Sequence, residues 1–210
     1  MKKQSINMEV SEVDLDHTLK NILLLEKLFV LEIKKIYEIE KGITEINHYI
    51  MSIANRAISL NRGFVTLANA NNYLTAISLM RLQIDNCLRL YAMSLSGDSS
   101  LFYKEILSGK HVRNLEDRDG KKMSDTYLTK KIDKIFPGFK SLYDKLSGYI
   151  HFSFEHFSFN NSVENETLSI TIGAIENLEI HKKVDFAHNM FLIGNDLLKI
   201  IFEYRNEIKD

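Results

Sequence analysis

The sequence predicts an all-α fold: an antiparallel helical bundle with a small β-hairpin before its C-terminal helix. Three observations carry that expectation. One proline and nine glycines in 210 residues leave long stretches without a helix breaker. Apolar residues recur at three- and four-residue steps through most of the chain, the period of a helix with one buried face. Just after His151 the pattern changes to strict alternation of apolar and polar residues, as in a strand. With 45% hydrophobic and 26% charged residues, the chain has the balance of a globular protein, and residues 1–210 are read as a single helical domain.

The first helix is expected over about 12–41. Ser11 is placed to cap it, and Glu12, Asp14 and Asp16 lie at its positive end. Leu15, Leu19, Ile22, Phe29, Ile33 and Ile36 form its inward stripe, and Gly42 ends or bends it. Leu23, Leu24, Leu28 and Val30 lie on other faces, more apolar surface than one core contact buries. This helix is therefore expected to build a homodimer or to dock on a protein partner. A second helical pattern runs from Ile43 through Ile50, Ala57 and Phe64 to Leu67, and closes in the Asn-rich turn at 69–72. A third follows at once and stops at the Ser- and Gly-rich residues 96–100. Ser99 or Ser100 then caps a short helix through Leu107.

Residues 109–124 are polar and aperiodic and read as a surface loop. Ser124 caps the next helix, which Pro137-Gly138 breaks, and a further helix carries Tyr143, Ser147 and His151. The hairpin is expected over about 152–174, its strands drawn from HFSFEHFSFNN and NETLSITIGA. A last helix, from about Leu178 to Ile208, turns Val184, Ala187, Phe191, Gly194, Leu198, Ile201 and Tyr204 inward.

Several function classes are set aside by what the chain lacks. The single cysteine, Cys87, allows neither an intrachain disulfide nor a thiolate metal cluster, which fits a reducing cytoplasm. Two lysines near the N-terminus have no apolar run behind them, so no signal peptide is read there. No uncharged apolar stretch is long enough to span a bilayer. The chain is accordingly expected to be soluble, cytoplasmic and free of membrane. Neither G-x-x-x-x-G-K nor G-x-G-x-x-G is present, and His151, Glu155 and His156 lack metal-ligand spacing; no cofactor and no metal are expected. Net charge is −1, yet residues 104–145 hold eleven Lys/Arg against seven Asp/Glu. Such a segment is either a solvated face or a surface for phosphate.

The third helix contains the most informative residue. Its inward stripe reads Leu74, Ile77, Arg81, Ile84, Leu88, Tyr91 and Leu95, so a guanidinium occupies a core position. A buried charge needs partners, and Asp85 is one turn away. Tyr143, Ser147 and His151, spaced by four, share one face of a later helix. If the two helices pack, Arg81 meets Tyr143, Ser147 and His151. Arginine binds phosphate with several donors and histidine exchanges a proton near neutral pH, the groups that RNA cleavage requires. The same residues also suit a sealed Arg-Asp-Tyr-His network that fixes helix register. Both readings remain open at this stage.

The pattern Ala76, Leu79, Arg81, Asp85 on one helix, then Tyr143, Leu146, Ser147, His151 on another, followed by an extended stretch and a long last helix, resembles bacterial helical proteins akin to the HEPN superfamily. The likeness spans about residues 50–208. It implies an antiparallel bundle that often dimerises, and a place among RNA-cleaving toxins and effectors of defence systems. Active HEPN proteins carry an arginine roughly four to six residues ahead of a histidine, about one helical turn or a little more. That motif is absent here; Lys145 lies six residues before His151. The resemblance therefore implies His151 as acid–base with Arg81 or Lys145 holding phosphate in a metal-independent ribonuclease of a toxin–antitoxin or antiviral system, and Asp85, Tyr143 and Ser147 as binding residues. The alternative is a non-catalytic interaction module.

Overall fold

The first three long helices each begin where a short polar side chain satisfies a free N–H group. A computed structural model describes residues 11–151, 153–157, 159, 161–164, 167–170, 172 and 178–209. The N-terminal segment read as lacking a leader lies outside them. Helix α1 (Glu12–Glu40) starts at a full capping box, with Ser11 Oγ accepting from Asp14 N–H while the Asp14 carboxylate accepts from Ser11 N–H. It ends at Lys41, in the left-handed conformation with φ 56°. Thr44 and Asn47 repeat the box at α2 (Glu45–Asn69), and Asn72 caps α3 (Tyr73–Leu95). Asp98 caps α4 (Ser99–Leu107), one or two residues ahead of the serines expected to do so.

The short connections after α1 and α2 make these helices antiparallel neighbours. α1 packs on α2 and on α8 (Ile180–Glu207), and α3 closes the bundle by packing on α2 and α8. The fold is an all-α bundle. Its centre is apolar: Ile22, Phe29 and Ile36 of α1, Ile50 and Phe64 of α2, Ile77, Ile84 and Leu88 of α3, and Met190 and Leu197 of α8 are all buried. Burying one such side chain fully contributes about 1.5–3 kcal/mol. Two short helices, α5 (Asp125–Ile132) and α6 (Phe139–Ile150), lie against α3 and against each other. That placement brings the polar faces of α3 and α6 together. Among the described residues no helix is long and apolar enough to cross a membrane.

Two stretches depart from expectation. Residues 109–124 are built into the fold: Val112 and Met123 are buried, a 3-10 turn spans Val112–Asn114, and Glu116 pairs with Lys122 across a turn. Asp117 organises that turn, accepting from the N–H groups of Asp119 and Lys121 and from the Tyr127 hydroxyl.

The hairpin lies later than its alternation suggests. Residues Phe154–Phe157 form a helical turn, α7, and the strands are β1 (Asn161–Glu164) and β2 (Thr167–Ile170), paired antiparallel with Asn161 opposite Ile170 and Glu164 opposite Thr167. Of the expected hairpin, residues 152, 158, 160, 165–166, 171 and 173–174 lie outside the described residues. The reason for the shift is aromatic and polar packing onto the end of α6. Phe159 meets Tyr149 edge-on at 5.9 Å, the Tyr149 carbonyl lies 2.8 Å from His156 Nδ1, and Ser153 Oγ donates to the Gly148 carbonyl. These contacts hold His156 and Phe159 against α6, and all four residues of β2 are exposed.

Candidate functional site

A seam of polar side chains runs along α3 and out to α5 and α6. Its inner half is neutral and buried. Asn61 Oδ1 accepts from Gln83 Nε2 at 3.2 Å, and Gln83 Oε1 accepts from Asn86 Nδ2 at 2.9 Å; all three residues are at most 1% exposed. Asn86 Oδ1 then accepts from Arg56 at 2.6 Å, which links the amides to the charged half. Gly194 of α8 makes room here: an added Cβ would lie 2.7 Å from Leu25 Cδ1 and 3.8 Å from the Asn61 amide nitrogen.

The outer half contains three guanidinium groups and two carboxylates. Arg89 donates to Asp85 at 2.7 Å and to Asp125 at 2.8 Å. Arg56 lies 3.5 Å from the other Asp85 oxygen. Arg81 lies 3.6 Å from the second Asp125 oxygen, donates from Nε to Ser147 Oγ at 3.2 Å, and stacks with Cζ 4.1 Å from the Tyr143 ring centre. The Tyr143 hydroxyl reaches Asp125 at 3.4 Å, and the Ser147 hydroxyl donates to the Tyr143 carbonyl. Asp125 thus joins three helices from the first turn of α5, where the helix dipole favours a negative charge. Burial disfavours the charge of Arg89, but Asp85 and Asp125 outweigh that and raise its pKa above the ordinary arginine value.

The side chain of Arg81 is only 14% exposed, and it meets Tyr143 and Ser147 as expected from their shared helix face. Its carboxylate partner is a correction. Asp85 turns to Arg89 and Arg56, and Asp125 pairs with Arg81. The physical reason is the competition on α3, where Arg89 is also one turn from Asp85 and on its C-terminal side, the better order for an acid–base pair. His151 ends α6 exposed, donating its backbone N–H to the Ser147 carbonyl. Lys145 is exposed too, with Nζ 6.0 Å from the Phe186 ring centre, on the side of α6 away from Tyr143 and Ser147. The structure therefore brings Arg81, Tyr143 and Ser147 together and leaves Lys145 on another face.

Sequence reasoning missed Asp125, Arg89, Arg56 and the amides. Arg89 was legible as the residue one turn beyond Asp85, and Gln83 and Asn86 as polar residues one turn apart on a mostly apolar helix. Asp125 carries no local mark beyond following the Ser124 cap, and its role is created by tertiary packing alone. Comparison with family models, curated proteins and solved structures gives no match. The geometry is accordingly the basis for reading the site.

Proposed function

We propose that this chain is a HEPN-like cytoplasmic component of a bacterial defence or toxin-type system, and that it engages RNA or a nucleotide through the charged end of the seam. One observation carries the reading: among the described residues the ion pairs of Arg56, Arg81 and Arg89 run to Asp85 and Asp125 alone, three positive charges against two negative. A partly buried cluster with a surplus guanidinium charge favours an anionic guest. The defence context rests on the resemblance of the Arg81 and His151 helices to HEPN proteins.

Any cleavage step falls to His151, exposed at the end of the helix that supplies Tyr143 and Ser147. Its imidazole would take the proton of a ribose 2′-hydroxyl, whose oxygen attacks the adjacent phosphorus to close a cyclic phosphate and expels the 5′-oxygen, which takes a proton from water. Arg81, held by Asp125, positions α6 and lends positive charge at short range. The test is incubation of a labelled single-stranded RNA, without metal, with wild type and with His151→Ala protein. The expected result is salt-sensitive binding by both, with any cleavage reduced about 10²–10⁴-fold in the variant. Absence of RNA and nucleotide binding at low salt overturns the reading.

A second reading, a non-catalytic interaction module, has its own support. Leu24, Leu28 and Leu31 follow one another along the outer face of α1, each about half exposed, with Leu23, Val30 and Tyr37 beside them. A homodimer or a foreign protein partner on this face would cover them. Light scattering at micromolar concentration separates the two assemblies, since only self-association doubles the mass of the purified protein.

A further inference from the structure

Beside the charged cluster lies a polar cavity of about 230 Å³, lined by Arg89, His111, Val112, Arg113 and Asp125. Arg89 contributes to its inner wall, with its second terminal nitrogen, NH1, buried and without a hydrogen-bond partner. At the mouth, Arg113 and His111 are exposed, and among the described residues neither side chain has an ion pair or hydrogen bond. Both stand on or next to the 3-10 turn Val112–Asn114, which the burial of Val112 anchors to the core. The turn is thus a fixed support for two unpaired side chains that line the same cavity as Arg89.

We infer that this cavity is a binding site for a phosphate monoester, the terminal phosphate of a nucleotide or of an RNA end. This inference rests on the proposed function and names the group that the site takes. Size argues for one small charged group, because pockets for whole drug-sized ligands start at about 300 Å³. Charge argues for an anion: Arg113 adds a fourth guanidinium to the three already outnumbering Asp85 and Asp125. Chemistry argues for phosphate, whose several oxygens accept from two guanidinium groups and an imidazole together, while planar carboxylates offer only two oxygens. The Asp125 carboxylate in the wall only accepts hydrogen bonds, so the oxygen that meets it is the protonated P–OH of a phosphate monoanion.

The experiment is calorimetric titration of the full chain with inorganic phosphate, 5′-AMP and adenosine, and anisotropy with one RNA oligomer bearing either a 5′-phosphate or a 5′-hydroxyl. Wild type should bind 5′-AMP and not adenosine, and should bind the phosphorylated oligomer at least about tenfold more tightly than the hydroxyl form. Arg113→Ala and His111→Ala, both at exposed positions, should each lose most of that preference with unchanged melting temperature. Binding of inorganic phosphate and 5′-AMP alone would identify a free metabolite as the source, retaining this inference while removing the RNA. Equal binding of the two oligomers, unaffected by Arg113→Ala, would overturn the inference and leave the RNA reading standing.

Discussion

The two halves of the polar seam solve different problems. Asn61, Gln83 and Asn86 are neutral and sealed, and although Asn61 Nδ2 is left without a partner, the two amide–amide bonds fix how α2 and α3 meet. Arg81, Arg89 and Asp125 are charged and only partly covered, and they fasten α5 and α6 to α3. The neutral half specifies a packing and offers nothing to a ligand. The charged half specifies a packing too, but its charges do not cancel. Surplus charge beside an open cavity separates a candidate site from a purely structural network.

The largest expected effect comes from removing the carboxylate that holds the charged half. Asp125→Ala leaves Arg81 and Arg89 without their shared partner and should destabilise the fold by about 3 kcal/mol, the low end for a buried pair because Asp125 is partly exposed. Urea unfolding measures it; a loss below about 1 kcal/mol would mean solvent already serves both arginines. The neutral half should be next. Gln83→Leu strands the Asn61 carbonyl and an Asn86 N–H in the core and should cost about 2 kcal/mol. The two should also differ in salt response. Toward 1 M salt, where screening acts over about 3 Å, the cost of Asp125→Ala should shrink while that of Gln83→Leu stays.

At the link between the halves, Arg56→Ala should cost no more than about 1 kcal/mol, since its side chain is 42% exposed. The smallest effect belongs to the Glu116–Lys122 turn, which follows the 3-10 turn carrying Arg113 and His111. Hydrogen bonds from Tyr127 first, and from the N–H groups of Lys121 and Asp119, hold the Asp117 carboxyl below its ordinary pKa of 3.8. Its folded value is depressed, so its contribution is full above that ordinary value and is lost as pH falls through the folded one. Wild type should therefore lose stability more steeply than Asp117→Asn in the acid limb of a melting-temperature profile, and parallel limbs would contradict this.

Much of the fold was legible because helix period and caps are local properties. The Ser11 cap and the inward stripe of α1 needed only neighbours in sequence, whereas the α3 stripe was turned partly off the core: Leu74, Arg81, Tyr91 and Leu95 are only partly buried, and Ala76, Met80, Gln83 and Cys87 lie on the sealed face. The strands at 161–170 were displaced because Phe159 packs on Tyr149, an aromatic contact that alternation does not report. Half of the site was legible for the same reason. Tyr143 and Ser147 share a helix face, so their meeting with Arg81 followed from one helix packing on another. Asp125 and Arg113 reach the cluster through the folding of 109–124, which an aperiodic sequence leaves undetermined.

The central claim is that the surplus charge at the outer end of the seam binds phosphate in the folded protein. The direct measurement is thermal unfolding of wild type and Arg113→Ala in 5′-AMP or in sodium chloride at matched ionic strength. A ligand that binds only the folded state raises stability by about 2.7 kcal/mol at a hundredfold excess over its dissociation constant. The account predicts a higher melting temperature in 5′-AMP for wild type and none of that rise in Arg113→Ala. An equal rise in both proteins, or no rise in wild type, would contradict it.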